Sequence, residues 1–275
     1  MLKTYLPSPR VINDVSWLLY LPEGAPAPLP ADIQVKLPHT NAVPANRLHL
    51  LAYIPWDERY VAYVPRVYRE FFSFVVPFLH ARTTDVHTAL STSYVAELVR
   101  DTPQPVHEKI LHLAVILHDA GWGQMQESEI AASLNYSSVA YSDDALEPKE
   151  RHATLGAEMA HKILAAYPGD LGLTPDDETF IADLVYYHDQ IRPWPATAQK
   201  PAPIEYLLLG DADRLWSYTH ENFWLDTVRK GVPAARYVRN LHGALEDYFL
   251  TDQGRRIARR LIREREAEVA QLADI

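Results

Sequence analysis

The stretch Ile110-Leu111-His112-Leu113-Ala114-Val115-Ile116-Leu117-His118-Asp119-Ala120-Gly121 runs a nearly unbroken apolar segment into an adjacent histidine and aspartate, then a glycine. A helix that is apolar on every side belongs in a protein core. The pair His118-Asp119 therefore sits at the buried end of a helix. A carboxylate in such surroundings is costly unless a cation or hydrogen bonds compensate it, and a neutral imidazole beside it can donate to the same divalent ion. The segment predicts a helical core with a positive charge at one end.

Outward from this segment the pattern stays helical. Val67, Phe71, Phe74, Val75 and Phe78 recur at three- and four-residue spacing, followed by Val86, Leu90, Tyr94 and Leu98. Further helices are expected over about 105–119, 151–167, 175–190, 203–218, 233–249 and 252–272. Pro105, Pro175 and Pro233 fall near helix starts, where proline is tolerated, and Thr174 followed by Asp177 reads as an N-cap. No strand alternation of comparable length occurs, so the expected class is all-α. Residues 1 to about 62 are broken by prolines at 7, 9, 22, 26, 28, 30, 38, 44 and 55, a density that rules out long helices. Trp17, Tyr20, Tyr53, Trp56 and Tyr60 argue against disorder there. The chain thus reads as an irregular arm over 1–62 that packs on a helical body over 63–275. The polar segment 121–150 is too long for an ordinary helix connection and reads as a loop or lid.

Composition narrows the function classes. The 275 residues are 48% hydrophobic, enough for a sizeable core, and carry a formal charge of −10. That charge disfavours a nucleic-acid surface, because the one dense basic stretch, Arg255 to Arg265, is interleaved with glutamates. A bound metal can still reverse the local field and admit a small phosphate ester. The chain has no cysteine, which excludes disulfides and thiolate zinc sites. No apolar stretch approaches the roughly 20 residues of a membrane span, and the first residues lack a signal-peptide core, so a cytoplasmic protein is expected. The terminal helix, with Ile257, Leu261, Ile262, Val269 and Leu272 amid Arg256, Arg259, Arg260, Arg263 and Arg265, reads as an amphipathic helix with a solvated charged face. Nothing decides between a monomer and a homo-oligomer.

Four of the twelve histidines share a face with apolar residues. His188 falls on the stripe of Ile181, Leu184 and Val185. His152 precedes Leu155 by three and Met159 by seven, whereas His161 is half a turn away and should face water. His87 adjoins Val86 and precedes Leu90 by three, and His118 ends the central run. One such histidine is ordinarily satisfied by a backbone carbonyl, but four on four helices, among them the His118-Asp119 pair, read as a ligand set. Asp211 and Asp213 close the apolar run of 204–209. Periodicity does not separate them, since each lies four residues after a leucine, and Arg214 offers an ion-pair partner.

The ordered set His87, His118-Asp119, His152, His188 and Asp213 resembles the HD-domain superfamily of metal-dependent phosphohydrolases, over about residues 66–220. The most specific pieces are Leu113 to Gly121, His152-Ala153-Thr154-Leu155-Gly156-Ala157 and Asp211-Ala212-Asp213-Arg214-Leu215. The resemblance implies an all-α HD-type bundle with a first metal on His87, His118, Asp119 and Asp213, the Ala-Asp-Arg-Leu stretch favouring Asp213 over Asp211. It implies a second ion on His152 and His188, with Asp119 bridging both. Many family hydrolases carry a lysine shortly after His-Asp-x-Gly. This chain has Trp122-Gly123-Gln124 instead, so a phosphate contact from that position is not implied. Arg214, Arg151, Lys149 and Lys162 are the alternative cations, and Trp122 offers an apolar wall for a base or sugar.

The implied activity is hydrolysis of a small phosphate ester or nucleotide by a water on one or two divalent ions, with manganese, iron, cobalt, nickel, zinc and magnesium all admissible. Asp189 and Asp211 are the acids expected to orient a histidine or accept a proton, alongside Asp119. Two rivals share these residues. The same six ligands resemble the mixed-valent di-iron oxygenases of this fold, acting on a small polyol or phosphonate, and a non-catalytic module would use the metal structurally.

Overall fold

The computed structural model describes residues 58–79, 81, 83–125, 146–189, 193–197, 200–230 and 232–273, together with Trp56 and short segments at 2–3, 21–22, 34–36 and 42–44. Trp17, Tyr20, Tyr53 and most of the expected lid, 126–145, lie outside them. The class is all-α, as expected. Nine α-helices are present among the described residues: α1 (Arg69–Val75), α2 (Thr84–Arg100), α3 (Glu108–Leu117), α4 (Leu146–Ala166), α5 (Pro175–Tyr187), α6 (Ile204–Leu215), α7 (His220–Lys230), α8 (Ala234–Tyr248) and α9 (Asp252–Ala273). The proline-rich arm contributes two small antiparallel ribbons. β1 (Leu2–Lys3) pairs with β2 (Leu21–Pro22), and β3 (Gln34–Lys36) pairs with β4 (Ala42–Pro44).

Contacts divide the chain into two compact units, one comprising Met1–Asp57, Ser217–Tyr248 and Arg256–Ile275, the other Glu58–Trp216 and Phe249–Arg255. The helical body expected over 63–275 is thus distributed over both.

In the second unit α3 is the central element. Every residue from Ile110 to Leu117 is buried, and α1, α2, α4, α5 and α6 all pack against it. Prolines set the local boundaries: Pro65 and Pro77 confine the first predicted helix to α1, flanked by 3-10 turns at Arg66–Tyr68 and Val76–Phe78. α5 begins as its sequence predicts. Asp177 N–H donates to Thr174 Oγ1, Thr174 N–H donates to the Asp177 carboxylate, and Pro175 occupies the first turn. At the head of α3 the buried Glu205 carboxylate accepts the His107 backbone N–H at 2.7 Å, which ties α6 to a helix end that has no side-chain cap of its own.

Glycines let α4 approach the end of α3. A Cβ on Gly121 would lie 2.6 Å from Gly156 N, and one on Gly156 would lie 3.1 Å from Val185 Cγ1. Gly121 has an ordinary φ of −65°, so it is the contact that requires glycine here.

In the first unit the buried face of α9 carries Ile257, Leu261 and Ile262, as the amphipathic pattern predicts. Arg265 departs from its expected solvated position. It is buried, its guanidinium donates to Glu268 and to the Tyr218 carbonyl, and Trp224 Nε1 donates to the same Glu268. Arg265 follows Leu261 by four residues and so falls on the apolar stripe, where a bidentate carboxylate partner makes burial tolerable. α7 was not expected from periodicity. Its buried side includes Phe223, Trp224 and Leu225 together with Asn222, Asp226 and Thr227, which breaks the apolar pattern. Thr219 Oγ1, accepting the Asn222 N–H, was the legible start signal.

Gly121→Ala should destabilise the protein by about 1–3 kcal/mol or more, the range for overpacking. Gly243→Ala, on α8 with open space around the new methyl group, should stabilise it by about 0.5–1 kcal/mol. Urea midpoints for the two variants check both signs.

Candidate metal centre

Six of the predicted ligands meet in the second unit. His87 comes from the first turn of α2, His118 and Asp119 from the turn that ends α3, His152 from α4, His188 from the end of α5 and Asp213 from the last turn of α6. Asp119 stands in the middle. Its Oδ2 lies 3.1 Å from His87 Nδ1 and 3.5 Å from His118 Nε2, and its Oδ1 lies 3.3 Å from His152 Nε2 and 3.7 Å from His188 Nε2. Asp213 Oδ1 is 3.0 Å from His87 Nε2 and 3.6 Å from His118 Nε2. Both oxygens of Asp119, and Oδ1 of Asp213, thus each face a pair of imidazoles.

Backbone geometry aims two of these rings. His118 Nδ1 is 2.7 Å from the Val115 carbonyl and His188 Nδ1 is 2.6 Å from the Val185 carbonyl. A carbonyl can only accept, so each ring carries a proton on Nδ1 and turns Nε2 inward. Nε2 of His87, His118 and His152, and Nδ1 of His152, are buried without a hydrogen-bond partner. His87 Nε2 is close to Asp213, but its approach is off the N–H direction.

This donor set fits a divalent ion. Two ligands each about 2.1 Å from one ion stand about 3.0 Å apart at right angles and about 3.4 Å apart at the tetrahedral angle. The Nε2–oxygen separations of 3.0–3.7 Å lie at or a little above those values, and the orphaned Nε2 atoms of His87, His118 and His152 are the ones that a cation would satisfy. The sets His87/His118/Asp213, His118/Asp119/His188 and His152/His188/Asp189 each bring their ligand atoms within 4.8 Å of one another. These buried clusters can hold a metal ion.

Protons stand in for a cation in the metal-free protein. Burial works against charge on His87, but the adjacent Asp119 and Asp213 carboxylates outweigh it and raise its pKa to about 10. His188 is likewise pulled down by burial and raised overall to about 9, mainly by Asp189 and Asp119. His152 is pushed down by burial despite Asp119. Burial would raise Asp119 and Asp213, yet the surrounding imidazoles hold both well below the carboxylate range.

Two tryptophans pack on the ligands. Trp122 stacks on His152 with ring centroids 3.8 Å apart and planes at 12°, and its Nε1–H donates to Asp119 Oδ1 at 3.0 Å. The apolar wall expected from sequence is therefore also a hydrogen-bond donor to the central carboxylate. Trp216, which sequence reasoning did not single out, stacks on His87 at 5.2 Å and 14°. Its place immediately after Asp213-Arg214-Leu215 is the one signal that could have found it.

Compared with protein-family models, curated proteins and solved structures, the chain has no significant match. The site therefore rests on its own geometry.

Not all of the remaining candidates join this cluster. Asp211 was expected as an acid of the site, and the structure corrects this. Its carboxylate accepts from Leu250 N–H at 2.7 Å, Thr251 N–H at 2.9 Å and Thr251 Oγ1 at 2.5 Å, which anchors the approach to α9. Gly254 leaves the room, since a Cβ there would collide with that carboxylate. Lys162 is exposed and pairs with Glu158 one turn away, Arg151 is exposed on α4, and His161 faces outward as expected. Lys149 is half-buried in the first turn of α4, and Arg214 follows Asp213 in the last turn of α6. Asp189 Oδ1 lies 3.9 Å from His188 Nε2.

Trp122→Phe keeps a ring against His152 but removes the donor to Asp119. A chelator-competition titration should show metal affinity reduced by about 10–100-fold, the usual effect of losing a partner that orients a ligand. Wild-type affinity would mean that the indole does not position Asp119.

The pKa directions also fix a pH dependence. His87 and His188 hold protons more tightly when folded, so their contribution to stability is complete below about 6.5 and is lost as pH rises through 9 to 10. The lowered Asp119 and Asp213 contribute above about pH 4 and lose that contribution on acidification. Chelator-treated protein should therefore lose Tm between pH 7 and 10. Metal uptake at pH 7 should release protons, seen in calorimetry as a heat that varies with the buffer's ionisation enthalpy.

Proposed function

We propose that this chain is a metal-dependent hydrolase of a small phosphate ester or nucleotide, of the HD-domain type, working with two divalent ions. The observation that carries this reading is Asp119, a buried carboxylate that turns one oxygen to His87 and His118 and the other to His152 and His188. A carboxylate so placed suits the bridge of a two-ion site. When bound, such ions supply a lowered pKa for coordinated water and a clamp on phosphoryl oxygens.

The chain's own residues have distinct tasks in this reading. The Val115 and Val185 carbonyls hold the proton of each ring on Nδ1, so His118 and His188 both present Nε2 to an ion. Trp122 fixes the rotation of the Asp119 carboxylate. Trp216 and Trp122, both half-buried, present ring surface beside the two histidines they cover, which suits a base or sugar. Arg214, next to Asp213, is the cation assigned to the substrate phosphoryl group. Lys162 and Arg151 are both exposed on α4, and Lys162 pairs with Glu158.

One observation favours a second reading. Each imidazole pair is accompanied by a carboxylate, a combination that also suits non-haem iron, and the chain would then be a mixed-valent di-iron oxygenase. The metals separate the two. Protein purified without chelator should carry redox-inert ions for hydrolysis, or an exchange-coupled iron pair by electron paramagnetic resonance for oxidation.

His118→Ala and Asp119→Ala should each abolish both metal retention and turnover in a screen of nucleotides and phosphate esters with added manganese. Either variant with wild-type activity would remove the proposal.

A further inference from the structure

The sequence Val-x-x-His-Asp occurs twice, as Val115 to Asp119 after α3 and as Val185 to Asp189 after α5. The two copies are built alike. In each, the histidine follows the last helical residue, its Nδ1 reaches back to the valine carbonyl, and its Nε2 is turned toward the centre. In each, the following aspartate places a carboxylate oxygen near that Nε2, at 3.5 Å for His118 with Asp119 and 3.9 Å for His188 with Asp189. The carboxylate of Asp119 is the shared one. What the His152/His188 half would lack, with six ligands only, is a carboxylate of its own to match Asp213.

From this geometry we infer that Asp189 is a direct ligand of the second ion, a seventh ligand beyond the six-residue set, and that the two halves of the centre are equivalent. The inference rests on the two-ion reading above. One half is His87, His118 and Asp213, the other His152, His188 and Asp189, and each set brings its ligand atoms within 4.8 Å. In both halves the private carboxylate is on the accessible side, with Asp213 and Asp189 side chains each 23% exposed. The His118, His152 and His188 side chains are 0–2% exposed. His152 Nε2, 3.3 Å from Asp119 Oδ1, is buried without a hydrogen-bond partner, so this half has its own orphaned donor atom beside the place an ion would take. Asp189 is therefore a metal ligand here, where the sequence had suggested an acid acting through a histidine. Three carboxylates then offset three of the four charges of two divalent ions, leaving one positive charge for an anionic substrate.

Cobalt titration of the chelator-treated full chain tests this. Wild type should bind two Co²⁺ per chain, and Asp189→Asn should keep one and bind the second at least tenfold more weakly, with an unchanged far-ultraviolet circular dichroism spectrum. Asp189→Cys is the more direct probe. Because the chain has no cysteine of its own, a thiolate-to-cobalt charge-transfer band in the near ultraviolet can come only from position 189 binding the ion. The band should grow with the second equivalent. Asp189→Asn with two sites of wild-type affinity would overturn the inference and leave the two-ion reading standing. So would Asp189→Cys binding two ions without the band. A wild-type chain that takes up a single ion would overturn the second site, and one that takes up none would overturn the metal reading as well.

Discussion

A carboxylate removed from water among four imidazoles is the constraint on which the rest of this structure depends. Asp119 has no low-energy state in an apolar interior unless positive charge is supplied beside it. The metal-free protein supplies it with protons, held on His87 and His188 well above the usual histidine range. Those protons occupy the directions from which an ion would bind. An ion bound here would exchange one kind of cation for another, linking folding stability and metal affinity through the same groups.

The helices can be understood as the scaffold for that one side chain. α3 is buried on all sides, so the turn after it is fixed in depth and direction, and the backbone carbonyls at Val115 and Val185 set two rings without any further side chain. Gly121 and Gly156 let α4 come close enough for His152 to reach Asp119. α6 does two things with two acids. At about 100° per residue, Asp211 and Asp213 point to nearly opposite sides of the helix, one into the ligand cluster and the other to the backbone at Leu250 and Thr251.

Much of the centre was legible because a histidine on an apolar helix face is a local pattern. His87, His118, His152 and His188 could each be placed inward from neighbours within two turns, and the structure brings all four together. The two acids of α6 show where that reasoning stops. Periodicity does not separate them, since each follows a leucine by four, and which one meets the ligands depends on Thr251, forty residues later. Trp122 is a similar case, since its donor reaches Asp119 across the tight turn in which Trp122 N–H donates to the Asp119 carbonyl, which apolar spacing does not reveal. Arg265 was misread by composition alone, as a charge in a charged helix, although its spacing from Leu261 placed it inward. α7 was missed because its buried face mixes Phe223 and Trp224 with Asn222, Asp226 and Thr227, and such a helix is held by its tertiary surroundings more than by an apolar stripe.

Hydrolysis and its oxidative rival draw on the same residues, and the difference between them lies in the symmetry of the two halves. Oxygen activation at a mixed-valent pair requires inequivalent ions, one held ferric and one with open positions for substrate and O₂. A two-ion clamp on a phosphoryl group asks for the reverse, two similar ions that stabilise the entering and leaving oxygens alike. Two His-His-carboxylate sets around one shared carboxylate favour equivalence, and the added carboxylate at Asp189 would fill a position that an oxygen-binding ion needs vacant. Symmetry of the ligand set, more than the identity of any one ligand, is the ground on which hydrolysis is proposed over oxidation.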